Sequence, residues 1–230
     1  MPLASLNAHT VVALPALTAD SCAEWVNEVM ALRRYWTARH EDAPFFTLGL
    51  AAYLDAVQPD PTLGGKTPYH IPALMRHNNQ LLMQHFQALL NHCETLMAQW
   101  LQLPCRFSPE DTALPGFHIH LPHPVFQEEV ASHHCDLQFQ AAFKMQQGAP
   151  THMDHPPLTF TLPLSLPLGA GLYRWPSAQR LFVPYRLGDV FIHDGLTPHQ
   201  AVLHPNGGNT PRVMLQGHAW WRDGAYVLYW

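Results

Sequence analysis

Charged side chains are scarce in this chain: 13% of 230 residues, with 12 Lys and Arg against 17 Asp and Glu, for a formal net charge of −5. So few cations build no basic stripe, which argues against a nucleic-acid partner. Cysteine is sparse too. Cys22, Cys93, Cys105 and Cys135 form no C-x-x-C pair; no disulfide framework is expected, and they read as reduced, mostly buried thiols. No run of about 18 apolar residues exists, so no membrane span is expected. Met1–Leu14 lacks the basic start and long apolar stretch of a signal peptide, and a cytoplasmic location is the expectation. Hydrophobic residues make up 47% of the chain, too many for a disordered segment. The length suits one domain over residues 1–230. The oligomeric state is left open, a homodimer included.

Histidine is the excess: there are 17. Neutral imidazoles serve as metal ligands or hydrogen-bonding groups near pH 7.

The first part, about 1–104, reads helical. Ser21 and Glu24 fit a capping box, and Trp25, Val29, Leu32 and Trp36 continue as one apolar stripe. A second helix is expected over His77–Leu103, with Leu82, Phe86, Leu89, Cys93, Leu96, Trp100 and Leu103 on its buried face and Pro104 as its stop. Phe45–Asp55 reads as a short strand or helix, and Gln58–Pro72 as a surface loop. From 105 the texture changes to short apolar runs between Pro and Gly. Strands are expected at Gly116–Leu121, Ser132–Phe139, Leu158–Leu166, Gly171–Trp175, Leu181–Tyr185, Asp189–His193, His199–Leu203, Arg212–Ala219 and Ala225–Trp230. Many short strands argue for a sandwich or barrel, and the helices would back its outer face in an α+β arrangement.

One constellation stands out: His134-Cys135-Asp136, then His199, then Arg212. In a strand, His134, Asp136 and Gln138 share a face, as do Arg212, Met214, Gln216 and His218. Two histidines and a carboxylate on one face leave coordination positions of Fe(II) open for oxygen chemistry. A nearby arginine fork grips a carboxylate with two parallel hydrogen bonds. Together they point to an iron oxygenase that uses a keto-acid. Two rivals remain at this level. His118-Ile119-His120 with Glu128 is a cupin-like alternative. A zinc-filled His pocket fits the ligand count, although it has no need of Arg212. His193 reads as a surface or supporting residue, and His133 should face away from the metal.

These segments resemble the Fe(II)/2-oxoglutarate-dependent oxygenases, whose H-x-D…H…R pattern sits on a double-stranded β-helix, the jelly-roll barrel. The resemblance extends to small bacterial enzymes that hydroxylate or halogenate free amino acids. It is carried by Thr47-Leu48-Gly49 with Tyr53-Leu54-Asp55, Pro115-Gly116-Phe117-His118-Ile119, Thr161–Pro167, Gly171-Leu172 with Trp175, Leu215-Gln216-Gly217-His218 and Tyr229-Trp230. It implies iron at His134, Asp136 and His199, the distal carboxylate of 2-oxoglutarate at Arg212, and O2 as oxidant. Thr161 is the candidate hydroxyl partner of the co-substrate. Arg76, His118, His120 and Trp230 are the substrate-contact candidates, and the expected substrate is a free amino acid or similar small zwitterion. Asp136 stands where the halogenases carry a small residue, so hydroxylation is expected in place of chlorination.

Overall fold

The computed structural model describes residues 6–145 and 154–230. In chain order the elements are β1 (Val12–Pro15), α1 (Ala19–Ala31), β2 (Thr37–Ala38), β3 (Phe45–Leu48), α2 (Ala52–Asp55), α3 (Pro72–Leu101), β4 (Cys105–Phe107), β5 (Gly116–His120), α4 (Phe139–Ala142), β6 (Leu158–Ser165), β7 (Gly171–Arg174), β8 (Leu181–Pro184), β9 (Asp189–Asp194), β10 (His199–Val202), β11 (Arg212–Arg222) and β12 (Ala225–Tyr229).

The strands form two sheets. The major sheet runs β1-β9-β6-β11-β5-β3-β2, with β12 beside β11 and β4 beside β12; the minor sheet is β10-β7-β8. Every pairing is antiparallel except β12 with β4. The eleven-residue β11 is the spine. One of its edges pairs with β6; the other pairs with β5 over Arg212–Gln216 and with β12 over His218–Arg222. Leu172 of the minor sheet packs with Phe191 and Met214 of the major one, so the sheets face each other. This is the jelly roll expected, with two facing sheets that do not join into a closed barrel.

The pleat divides labour along β11 and β5. Val213, Leu215, Phe117 and Ile119 join the core beneath α1 and α3, whose buried face includes Val29, Leu82, Phe86, Leu89 and Cys93. Phe86 and Phe117 make the central contact, with ring centroids 4.5 Å apart. The opposite faces of the same strands present Arg212, Gln216, His218, His118 and His120 to a cavity. Burial of one face therefore fixes the aim of the other, because a one-residue slip would exchange them.

Several sequence expectations are corrected. The N-cap of α1 is Thr18, whose hydroxyl accepts from the Ser21 N–H at 3.2 Å, three residues ahead of the capping box placed on Ser21. α3 begins at Pro72, five residues before His77, since proline is well suited to a first helical turn. It ends on Gln102 in the left-handed conformation (φ 55°) ahead of Pro104. The N-terminal part is not purely helical, because β1, β2 and β3 join the major sheet. Phe45–Asp55 holds both a strand and a helical turn. Gln58–Pro72 forms two single 3-10 turns and buries Tyr69 completely. Ser132–Phe139 is not a strand. Only His134 makes a ladder contact, and the chain turns into α4 at Phe139.

Candidate metal and co-substrate site

His134 and His199 meet across a reciprocal backbone bridge. The His134 N–H donates to the His199 carbonyl at 3.0 Å, and the His199 N–H donates back at 2.9 Å. Two residues on, the Asp136 N–H donates to the Gly195 carbonyl at 2.7 Å. The segment 134–136 is thus stitched to the turn between β9 and β10. That turn is built by Asp194, which accepts from the Thr197 N–H at 2.7 Å and from Arg174 Nη2 at 2.8 Å.

The three side chains converge. Their ligand atoms lie within 4.8 Å of one another, the one such metal-capable group among the described residues. His134 Nε2 is 3.5 Å from Asp136 Oδ1, and His199 Nε2 is 3.3 Å from Asp136 Oδ2. Each Nδ1 is already used: on the Ser132 carbonyl at 3.0 Å for His134, and on the Thr197 carbonyl at 2.9 Å for His199. An Nδ1–H held by a carbonyl leaves Nε2 as the free donor to a metal, the tautomer a ligand histidine needs. Asp136 is buried. Thr159 Oγ1 donates to its Oδ2 in a short contact, and Gln138 Nε2 donates to its Oδ1 at 3.1 Å. Burial pushes this carboxyl up, but the His199 and His218 charges and the hydrogen bonds from His134 and His199 outweigh it and hold it well below the usual carboxylate range. For His199, burial pulls down, and the Asp136 carboxylate more than compensates, so its pKa is raised. A dication entering here would take the place of the ring proton.

Arg212 lies in the same cavity, of about 340 Å³. It is 3% exposed, and its Nε has no hydrogen-bond partner. Burial pulls its pKa down to about 10, with only the Tyr185 hydroxyl acting to favour the charge. A register shift between Val213 and Met214 adjoins it, a bulge of the kind that re-aims a side chain. The Tyr185 hydroxyl also meets Thr161, and both line the cavity with Leu172. A buried guanidinium without a carboxylate partner, beside two hydroxyls, is a receptor for an anionic group.

The other expected residues divide. His118 and His120 line the cavity. His118 bridges the Tyr53 hydroxyl at 2.9 Å and Gln216 Oε1 at 3.1 Å, and His120 stacks on Phe45 with centroids 4.4 Å apart. Trp230 does not line it; the fully buried indole sits behind His118 with ring centroids 5.1 Å apart. Arg76 is exposed on α3 and outside the cavity. His193 is buried beside His199 with its Nδ1 on the Asp194 carbonyl at 2.8 Å, a supporting position and not a surface one. His133 turns to Trp175. Of the cupin-like set, Glu128 is exposed and does not line the cavity, and both nitrogens of His118 are occupied. Tyr185 and Thr159 were not singled out in the sequence, and Tyr53 appeared there only within a segment that carries the resemblance; the alternation along β6 puts Thr159 beside Thr161 on one face.

Among solved structures, the chain is similar to an N-substituted L-amino acid dioxygenase from Burkholderia ambifaria AMMD, at 10% identity and a TM-score of 0.59, over 95% of this chain and 85% of that one. It is similar to an oxidoreductase of the 2OG-Fe(II) oxygenase family from Burkholderia pseudomallei, at 12% identity and a TM-score of 0.51, over 94% and 86% of the two chains. A third likeness is to the non-haem alpha-ketoglutarate-dependent epimerase SnoN from nogalamycin biosynthesis, at 17% identity and a TM-score of 0.50, over 95% and 93%. No sequence-family model matches the chain, and no curated protein matches it. The likeness is therefore one of fold: the chain has the jelly-roll fold of the Fe(II)/2-oxoglutarate-dependent oxygenases.

Proposed function

We propose that this chain is an Fe(II)/2-oxoglutarate-dependent dioxygenase that hydroxylates a small organic substrate. The observation that carries the reading is the buried Arg212 guanidinium, with no carboxylate partner among the described residues and no hydrogen bond at Nε, in the same cavity as His134, Asp136 and His199. A zinc hydrolase or a simple metal-binding protein has use for the three ligands but none for a desolvated cation beside them.

The donor set fits the metal. Two imidazole Nε2 atoms and one carboxylate form the facial arrangement that suits Fe(II) and leaves positions open. Arg212 fits the far carboxylate of 2-oxoglutarate, and Tyr185 and Thr161 offer it hydroxyl partners. Bound there, iron with 2-oxoglutarate and O2 supplies oxidative decarboxylation to succinate and CO2 and an oxidising equivalent able to hydroxylate a C–H bond. The chain's part is positioning. The Ser132 and Thr197 carbonyls orient the histidines, and Thr159 and Gln138 hold the Asp136 carboxylate. Leu172, Tyr185, Phe191 and Met214 pack as one apolar cluster, and Leu172 and Tyr185 share the cavity wall with Arg212. Asp136 already supplies an anionic donor where chlorination needs a vacant position, which favours hydroxylation.

The free amino acid expected from the resemblance finds little support in the cavity, since Arg76 is too far out to anchor its carboxylate. No helix among the described residues is long and apolar enough to cross a membrane.

The test is to load the protein with Fe(II) and ascorbate, add 2-oxoglutarate, and follow succinate and oxygen uptake. Succinate formation that requires the metal is the expected result. A protein that binds the metal, yet neither binds nor decarboxylates 2-oxoglutarate, would overturn the reading.

A further inference from the structure

The cavity lining falls into two chemical groups. Arg212, Tyr185 and Thr161 form the first; Phe45, Tyr53, His118 and Gln216, with His40, form the second. The function proposed above enters only in giving the first group to 2-oxoglutarate, which leaves the second for substrate.

Among the described residues, the second group has no counter-ion to offer. Among the described lining residues, only Asp136 and Arg212 are not histidine yet ionised at neutral pH. The nearest further cation, Arg39, is spent. Its two Nη atoms donate to the two Asp55 oxygens at 2.7 Å each, and its Nε donates to Thr47 Oγ1 at 2.7 Å. His118 is held neutral, its pKa pulled down to about 3 by burial first and by Arg212 next. His40 Nδ1 accepts from the Asp42 N–H at 3.0 Å. A carboxylate or ammonium placed here would lose its water and gain no counter-ion, which costs far more than burying a hydrogen-bonded neutral group.

What this second group does offer is a directional neutral chain. With Gln216 Oε1 accepting, His118 Nδ1 carries the proton and Nε2 accepts from the Tyr53 hydroxyl. That leaves the Tyr53 oxygen as an acceptor and the Gln216 amide NH2 as a donor, one on each nitrogen side of the His118 ring. Phe45 supplies an aromatic face and Phe126 a second apolar wall.

We propose that the substrate is uncharged: an aromatic or extended apolar body bearing a hydroxyl, carbonyl or amide group that bonds to Tyr53 and Gln216, and not a free amino acid.

The test compares four probes with the same ring and different charge: 2-phenylethanol, 2-phenylethylamine, phenylacetate and phenylalanine. Their dissociation constants are measured by ligand-observed NMR on protein loaded with Mn(II) and 2-oxoglutarate. The alcohol is expected to bind at least tenfold more tightly than each charged probe. Tyr53→Phe, checked for an unchanged thermal midpoint, is expected to weaken the alcohol at least threefold. Phenylalanine or phenylacetate binding as well as the alcohol, or no probe binding at all, overturns the proposal. The 2-oxoglutarate affinity of the same samples is a separate readout. Its absence defeats the dioxygenase reading, while the order of the four probes on the metal-loaded protein still decides the charge of the substrate.

Discussion

Arg212→Met should move two observables in opposite directions. In the ligand-free protein, Arg212 is a buried cation with no acid partner among the described residues. Its pKa is pulled down to about 10, well below the ordinary guanidinium value, which corresponds to about 3 kcal/mol of cost to the folded state at 1.36 kcal/mol per pKa unit. Because the folded-state pKa is the lower one, this cost is present in full below pH 10 and is relieved only as pH rises above it toward the unfolded value. Methionine fills a similar volume without the charge, at a repacking cost of about 1 kcal/mol. The net gain of about 2 kcal/mol should raise the thermal midpoint of the ligand-free protein by roughly 4–8 °C for a chain of this size. Binding goes the other way. Charge-assisted hydrogen bonds contribute about 1.5–3 kcal/mol, so 2-oxoglutarate affinity should fall about ten- to a hundredfold at 1.4 kcal/mol per decade. Differential scanning fluorimetry of both proteins, with and without 2-oxoglutarate and Mn(II), reads both effects. A variant that melts lower than the parent without ligand, or keeps the parent's 2-oxoglutarate-dependent shift, would refute the reasoning.

Four other outcomes are expected. His199→Ala should lose metal binding in a Mn(II) or Fe(II) titration, whereas His193→Ala, whose ring bonds the Asp194 carbonyl, should keep measurable binding. Thr159→Val removes the hydroxyl that donates to Asp136 and should weaken metal affinity about ten- to a hundredfold by equilibrium dialysis, the usual cost of losing a partner of a metal ligand. Gly116→Ala would place a Cβ 2.3 Å from Trp230 Cε3 and 2.6 Å from the Leu48 carbonyl oxygen; a loss of about 3 kcal/mol or more is expected in urea unfolding, since backbone on one side and a packed indole on the other leave nowhere to move. With a turned-over substrate in excess chloride, mass spectrometry should show a gain of one oxygen; a chlorine isotope pattern would contradict the role given to Asp136.

The site was more legible in the sequence than the route by which the chain builds it. That His134, Asp136, His199 and Arg212 meet in one cavity could be read because the chemistry expected of them restricts residue type and order. The strands of the second half could be read because their apolar periods are bounded by Pro and Gly. Ser132–Phe139 misled for a physical reason. Its alternation is real, and Asp136 and Gln138 do meet, but through the hydrogen bond of Gln138 Nε2 to Asp136 Oδ1 and not through a pleat. Thr18 displaced Ser21 as the cap because both are hydroxyl residues within one turn, and propensity alone does not separate them. Arg76 and Trp230 depend on which way a helix or a terminal strand faces, a tertiary property. Tyr185 follows Pro184 at the end of an exposed-looking strand, and nothing in its neighbourhood in sequence marks it as the companion of Arg212.

The backbone bridge between His134 and His199 has a consequence for how this scaffold changes over generations. The frame that brings residues 134, 136, 195 and 199 together is main chain bonded to main chain, so those bonds do not depend on which side chains stand at 134, 136 and 199. The long excursion between the two halves of the bridge is closed by peptide groups. Such a frame lets donor atoms be exchanged one at a time, each intermediate keeping its shape while its chemistry shifts. A lineage built on it can trial a new ligand set, or lose one and regain it, without first having to unfold.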